Sequence, residues 1–334
     1  MKQDPALGKV RGLRQIANRH GIMAIVALDQ RGSLRRSLNP QAPMAVSLEA
    51  IVALKLLLLR ALSPFATGAA LDPLTGAGQA VASGALPGDV GLIVSQENSG
   101  YEGQAEARRT SLVPQWDVAR SKQMGASAAK LRVYYRPDAS TADAQQELVR
   151  EIAASCRIHD LPLVLQPLSY AFGGSRDEVA AYGRERPHLV YDSAQHLAPL
   201  GVDVLAAEFP ADLRNDEPEA ALDHCRRLTD SLTVPWIVQS GADDYDLFMR
   251  QVDVACRGGA SGFLAGRVLW QEITRQPQAE WEGFAASVAL ERLQGLAAIA
   301  NEEGRPAAAE AELAPDWYVG YGRGAEAMPA ALAD

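Results

Sequence analysis

The chain has 334 residues, 48% hydrophobic and 22% charged, with a formal net charge of −9. So much apolar content without an acidic or basic block excludes general disorder, and the negative balance repels a phosphate backbone, so no nucleic-acid partner is expected. The longest apolar runs, Ile51–Leu54 and Leu56–Leu59, are interrupted by Lys55 and Arg60, too short to span a bilayer, and the first residues lack the apolar stretch of a signal peptide. Cys156, Cys225 and Cys256 are odd in number and widely spaced, which fits reduced, packed thiols of a cytoplasmic protein.

In chain order, short apolar runs bounded by turn residues predict strands at Met23–Leu28, Gly68–Leu71, Gly91–Val94, Ala128–Tyr134, Pro162–Leu165, Val202–Glu208, Val234–Gln239 and Ser261–Ala265. Helical spacing occupies Ser47–Leu62, Ala142–Ile158, Leu189–Leu197, Glu217–Leu232 and Tyr245–Cys256, with a last helix at Gln278–Asn301. Eight strands, each followed by helix-length chain, imply parallel pairing and a single closed (β/α)8 TIM barrel, an α/β fold over residues 1–304. No Gly-x-Gly-x-x-Gly turn follows the first strand, which argues against a dinucleotide fold and its cofactor. From Arg305 the chain turns Ala/Glu-rich, so 305–334 reads as a C-terminal tail whose Trp317, Tyr318 and Tyr321 form a patch expected to dock.

In such a barrel the active site is built at the C-terminal ends of the strands. The groups found there are Asp29, Gln30, Arg31, Asp72, Glu97, Lys130, Gln166, Ala206, Glu208, Ser240, Gly241, Gly266 and Arg267. Strand alternation puts Ala206 and Glu208 on the same side of their strand, facing the lumen if either does. Ser240-Gly241-Ala242, leading into a helix near Asp243, and Gly266-Arg267 after the eighth strand stand where this fold commonly holds phosphate. Backbone N–H groups, a hydroxyl and a guanidinium fork suit phosphate or sulfonate oxygens. The five histidines, at 20, 159, 188, 196 and 224, fall in or beside predicted helices, so no metal centre is expected. Asp29, Asp72, Glu97 and Glu208 would bind magnesium only if they converged.

Five segments occur in one order: Ala27-Leu-Asp-Gln-Arg31, Ala61-Leu-Ser-Pro64, Leu71-Asp-Pro73, Ala128-Ala-Lys-Leu131, and Ala260-Ser-Gly-Phe-Leu-Ala-Gly-Arg267 followed by Trp270. From about residue 9 to about 302 the chain resembles the class I aldolase family of tagatose-1,6-bisphosphate aldolase and sulfofructosephosphate aldolase. The resemblance implies cleavage of a phosphorylated or sulfonated ketose through a lysine imine, without metal or other cofactor, by a cytoplasmic homo-oligomer. It also implies a sixth-strand lysine in the order Leu-Lys-Val-Glu, a second lysine on strand four and a glutamate on strand five. Lys130 matches the strand-four lysine, and Lys55, Asp29, Asp72 and Glu208 match as well.

The chain departs from that pattern at the centre. Ala206 stands at the sixth-strand lysine position, within Leu205-Ala-Ala-Glu208, and Gln166 replaces the strand-five glutamate. Lysine is scarce, at positions 2, 9, 55, 122 and 130 only, but scarcity does not turn a nucleophile into alanine. Three readings remain. A carbon–carbon lyase would act with Lys130, Glu208 and Asp29 at the reacting carbons. An isomerase or epimerase would pass through an enediolate with Glu208 or Asp29 as base and Lys130 as its electrostatic partner. A pseudoenzyme would bind a sugar phosphate without turnover. In all three Arg267, Ser240, Gly241 and Gly266 grip the anion of a small sugar, while Gln30, Arg31, Asp72 and Gln166 complete the binding site. If Lys130 is not the nucleophile, it is expected to bind the substrate as a cation or to pair with Glu208.

Overall fold

The computed structural model describes residues 6–241, 244–307, 312, 313, 315, 317 and 318. Eight parallel strands close into a barrel in chain order: β1 Met23–Leu28, β2 Gly68–Leu71, β3 Gly91–Ser95, β4 Ala128–Tyr134, β5 Leu163–Leu168, β6 Val204–Ala207, β7 Trp236–Gln239 and β8 Gly262–Ala265. The ring is sealed where β1 lies along β8, with Met23 opposite Gly262 and Ile25 opposite Leu264. Gly262 has φ +135°, and a Cβ there would lie 2.0 Å from the Met23 carbonyl oxygen, so the closing seam requires glycine.

The helices are α1 Leu7–Gln15, α2 Gly32–Leu38, α3 Leu48–Leu62, α4 Ala77–Ala82, α5 Val118–Gln123, α6 Ala142–Ile158, α7 Arg176–Leu197, α8 Pro218–Ser231, α9 Tyr245–Arg257, α10 Arg267–Trp270, α11 Trp281–Phe284 and α12 Leu290–Glu303. The sequence expectation for α7 starts at Leu189, but the helix begins thirteen residues earlier behind a capping box. There Ser175 accepts from the Glu178 N–H and the Glu178 carboxylate accepts from Ser175, which fixes the start despite Pro187 inside the helix. The segment expected as one helix at Gln278–Asn301 is α11 and α12 joined through a π turn at Ala285–Ala289. β6 is shorter than expected, ending at Ala207.

Each strand faces two cores. Outward residues such as Ala69, Leu131, Leu165 and Phe263 meet the helix layer in one large apolar cluster. Inward residues Met23, Ile25, Ala27, Ala70, Ile93, Ala128, Val164, Val204, Ala206, Ile237 and Leu264 form a smaller cluster in the lumen. Ile16, just after α1, joins that inner cluster and closes the lumen at the N-terminal ends of the strands. The lumen is thus sealed below, and its inward positions turn polar only toward the C-terminal ends. Ala27 is followed by Asp29, Ile93 by Ser95 and Glu97, Ala128 by Lys130 and Arg132, Val164 by Gln166 and Ile237 by Gln239.

Past α12 the Arg305 and Ala307 N–H groups donate to the Ala260 and Gly21 carbonyls at 2.9 Å, tying the start of the tail to the barrel. Tyr318 is 66% exposed and stands 6.3 Å from Trp317 ring to ring, while Tyr321 lies outside the described residues. Among the described residues no helix is long and apolar enough to cross a membrane.

Cys156, Cys225 and Cys256 are all free and buried, and burial pushes each thiol up to about 12. Thiolate is the reactive form, so a disulfide reagent at pH 8 is expected to modify none of them until the protein is unfolded. Rapid labelling of the native protein would contradict this packing.

Candidate active site

The inward faces of β1, β3 and β4 deliver one charged cluster. Lys130, fully buried on β4, donates from Nζ to Asp29 Oδ2 at 2.8 Å and to Glu97 Oε1 at 3.0 Å. Ser95 on β3 donates to the same Asp29 oxygen at 3.0 Å, and the Arg132 N–H donates to Glu97 Oε2 at 3.1 Å. Burial alone would push the Asp29 carboxyl up. The charges of Lys130 and Arg132, with hydrogen bonds from Lys130 and Ser95, overcome it and hold Asp29 well below the usual carboxylate range. Burial likewise draws the Arg132 guanidinium down, and Glu97 and Asp29 outweigh it to keep that group above its ordinary value.

Above this cluster opens a cavity of about 240 Å³, the scale of one small polar ligand. Asp29, Arg132, Gln166 and Gln239 form its deeper wall, and Gln30, Ser33, Ser240, Gly241, Gly266 and Arg267 its rim, with Ala27, Leu168 and Leu264 between. The rim is a local consequence of the β7 and β8 ends. Ser240 follows β7, and its Oγ accepts from the Gly266 N–H at 2.9 Å, joining the two loops. A Cβ on Gly266 would lie 2.9 Å from Gln30 Nε2, so a larger residue there would displace the Gln30 side chain at the rim. Arg267 begins α10 at the same edge. Ala242 and Asp243 lie outside the described residues, and α9 begins at Tyr245 behind its cap Asp244. On the deep wall Gln166 Nε2 donates to Gln239 Oε1, and Gln239 Nε2 donates to the Pro167 carbonyl at 2.8 Å.

The structure therefore brings together Asp29, Gln30, Gln166, Ser240, Gly241, Gly266 and Arg267 around one cavity, with Lys130 beneath it. Three expected residues stand elsewhere. Asp72 is fully buried in the turn after β2, where it accepts from the Leu74 and Thr75 N–H groups and pairs with Lys55 of α3. Burial pushes the Lys55 pKa down against the pull of Asp72. Arg31 spans the strand ends, donating to the Glu97 carbonyl with Nε 3.9 Å from Asp72, and is not on the cavity wall. Glu208 does not share the lumen with Ala206. Because β6 ends at Ala207, Glu208 turns outward and accepts from the Ser169 N–H at 2.8 Å and its hydroxyl at 2.5 Å, with Arg186 at 3.5 Å. The expected pair between Lys130 and Glu208 does not form; Asp29 and Glu97 take that place.

Residues missed from sequence are Arg132, Gln239, Ser95 and Ser33, and Glu97, named as a strand-end group and possible magnesium ligand, is not foreseen as a partner of Lys130. Alternation along β4 from Ala128 through Lys130 points to Arg132. Of the four acidic candidates only Asp29 and Glu97 meet, across Lys130, and among the described residues no three His, Cys, Asp or Glu groups gather as a metal site.

A sequence model of the DeoC/LacD family aldolases matches residues 23–272. Tagatose 1,6-diphosphate aldolases of Staphylococcus epidermidis and Staphylococcus aureus are each 28% identical over 278 residues, covering 78% of this chain and 85% and 84% of theirs. An archaeal fructose-1,6-bisphosphate aldolase, solved with its catalytic Lys covalently bound to the carbinolamine intermediate, superposes with TM-score 0.55 at 22% identity, covering 86% of this chain and 99% of that one. The fructose-bisphosphate aldolase of Plasmodium falciparum superposes with TM-score 0.68 at 14% identity, covering 91% and 97%. These structures share the fold.

Two outcomes are expected of the buried cluster. Lys130→Met leaves two carboxylates buried without their ammonium, and is expected to cost about 3–5 kcal/mol in denaturant unfolding. Because the folded pKa of Asp29 is depressed, its contribution is complete above about pH 5 and is lost as pH falls through the unfolded value toward the folded one. Asp29→Asn is therefore expected to flatten the acid limb of the stability profile, and an unchanged limb would show that Asp29 is not the group responsible.

Proposed function

The chain belongs to the DeoC/LacD family of aldolases, and from that premise we propose that it cleaves a carbon–carbon bond of an open-chain ketose bearing a phosphate or sulfonate, without an imine on β6. The observation that carries the reading is the polar cavity over the Lys130 cluster, with Ala206 buried and inward on β6. The phosphorylated ketose comes from the relatives' names, tagatose 1,6-diphosphate and fructose-bisphosphate aldolases, and the sulfonate from its likeness to phosphate in shape and charge. An archaeal fructose-1,6-bisphosphate aldolase of this fold binds its substrate through a catalytic Lys; here the inward β6 residue Ala206 is a methyl group, which offers no nitrogen to attack a ketone.

Lys130 is the amine nearest the cavity, but its nitrogen is engaged by two carboxylates below the wall. That supports a positioning role, in which the ammonium keeps Asp29 ionised and aimed at the substrate. Asp29 is the carboxylate that faces the sugar and receives the proton of the hydroxyl on the departing carbon. A weak base suffices there, since a hydroxyl whose carbon is becoming a carbonyl is far more acidic than an alcohol. Arg267, Ser240, Gly241 and the Gly266 edge hold the anion, and Gln166 and Gln30 hydrogen-bond the sugar hydroxyls. Glu208 and Asp72 support the loops instead of touching the sugar.

The test is intact-mass analysis after borohydride reduction with dihydroxyacetone phosphate, beside a cleavage assay over ketose phosphates and sulfonates. Cleavage without a trapped adduct is expected. An adduct on Lys130 would replace this mechanism with a relocated imine. Exchange of substrate hydrogen with deuterated water but no cleavage would mean an isomerase, and binding alone a sugar-phosphate-binding protein; either overturns the lyase reading. Arg267→Ala is expected to remove a charged hydrogen bond of about 1.5–3 kcal/mol, weakening ligand binding roughly 10- to 100-fold by calorimetry without changing the melting temperature. Unchanged affinity would free Arg267 from the anion.

A further inference from the structure

Cleavage between C3 and C4 of a ketose sends an electron pair onto the C2 oxygen. In an imine enzyme the protonated nitrogen accepts that pair. If the chain is a lyase with a methyl group on β6, as proposed, some other cation must face the oxygen where the charge develops.

The described cavity wall presents two guanidinium groups, Arg132 and Arg267. Arg267 belongs to the rim, beside the anion-holding loops after β7 and β8. Arg132 rises from β4 on the deep wall, two residues above Lys130 and in register with Gln166 of β5. Its ties to the protein are loose: Nη2 is 3.5 Å from the Asn98 carbonyl and 3.9 Å from Glu97 Oε1, and its buried Nε has no hydrogen-bond partner among the described residues. A guanidinium with donors to spare in a polar cavity is prepared for an oxygen that the protein itself does not supply.

We propose that Arg132 is a catalytic residue, the electrophile that takes the C2 oxygen of the ketose as it becomes an enediolate. The C4 hydroxyl proton passes to Asp29 while the C3–C4 bond breaks and C4 leaves as an aldehyde. The bonding pair forms the C2–C3 double bond, and the negative charge on the C2 oxygen is matched by Arg132. Return of the proton from Asp29 to C3 yields the ketone product and restores the carboxylate. Protons and electrons balance without an added reagent. A guanidinium is not deprotonated in proteins, so Arg132 stabilises charge and moves no proton.

The experiment compares wild type, Arg132→Leu and Arg132→Lys in two readouts. One is steady-state cleavage of the best ketose phosphate. The other is calorimetric binding of phosphoglycolohydroxamate, a mimic of the enediolate, against inorganic phosphate. Removing one preorganised oxyanion donor is expected to lower kcat by about 100- to 1000-fold, with KM moved much less. Hydroxamate affinity is expected to fall at least about tenfold in Arg132→Leu and partly recover in Arg132→Lys, while phosphate affinity stays. Equal cleavage and equal hydroxamate binding in wild type and Arg132→Leu would overturn the proposal. So would a parallel loss for both ligands in both variants, which would reduce Arg132 to a general attraction for anions. If wild type cleaves nothing yet its hydroxamate preference still depends on Arg132, the lyase reading fails while the oxyanion site stands.

Discussion

The Lys130 ammonium, buried in the lumen and held by Asp29 and Glu97, is the interaction on which the rest of the site depends. Its three members come from the ends of β1, β3 and β4, so the pairing exists only when those strands are in the register that closes the barrel. Glu97 adds to this with its own backbone, whose carbonyl takes Arg31 while its carboxylate takes the Arg132 N–H. A buried ion pair contributes little net stability against apolar packing, but it penalises every arrangement that leaves one charge alone. Specifying the geometry of the mouth is therefore the better account of its presence. The Lys55–Asp72 pair repeats the logic one layer outward, fixing α3 to the turn after β2.

The fold was legible because each level of the chain pointed to it. Fully apolar short runs mark parallel strands covered on both faces, and the helix-length gaps between them leave few topologies. Boundaries failed where a local signal competed with periodicity. Pro187 and the polar first half of α7 hid thirteen helical residues, although Ser175 followed by Glu178 is a start signal legible without coordinates. The last helix was read as continuous because a π turn at Ala285–Ala289 keeps nearly the same apolar spacing as an α-helix.

The site was legible wherever a strand stays a strand. Alternation carries Lys130 and Gln166 inward from the apolar layers below, and the same count reaches Arg132 and Gln239. It fails one step beyond the last hydrogen-bonded residue. Glu208 has the right parity after Ala206, but β6 stops at Ala207, and the free chain turns its carboxylate to Ser169. Asp72 fails in a different way, since the buried Lys55 on the apolar face of α3 requires a carboxylate and Asp72 is the one within reach. A lysine among leucines at Leu54–Leu59 was itself the signal that an acid from the strand layer would be consumed there.

Charge balance orders the cavity from floor to rim. At the floor Lys130 and Arg132 face Asp29 and Glu97, two cations against two carboxylates, so the floor as a whole is neutral but strongly polarised. Such a surface gives little to a phosphate, which brings its full charge on arrival. It gives much to a group that is neutral when bound and becomes charged as bonds break, because fixed dipoles and charges are already aligned. The rim differs, with Arg267 and the Ser240 hydroxyl on loops held together by the bond between Ser240 and Gly266. In the proposed reaction this difference orients a ligand with one permanent anion and one carbonyl, its anion at the rim and its carbonyl on the floor. That polarity survives the absence of an amine on β6, because the cavity wall is built from the ends of other strands.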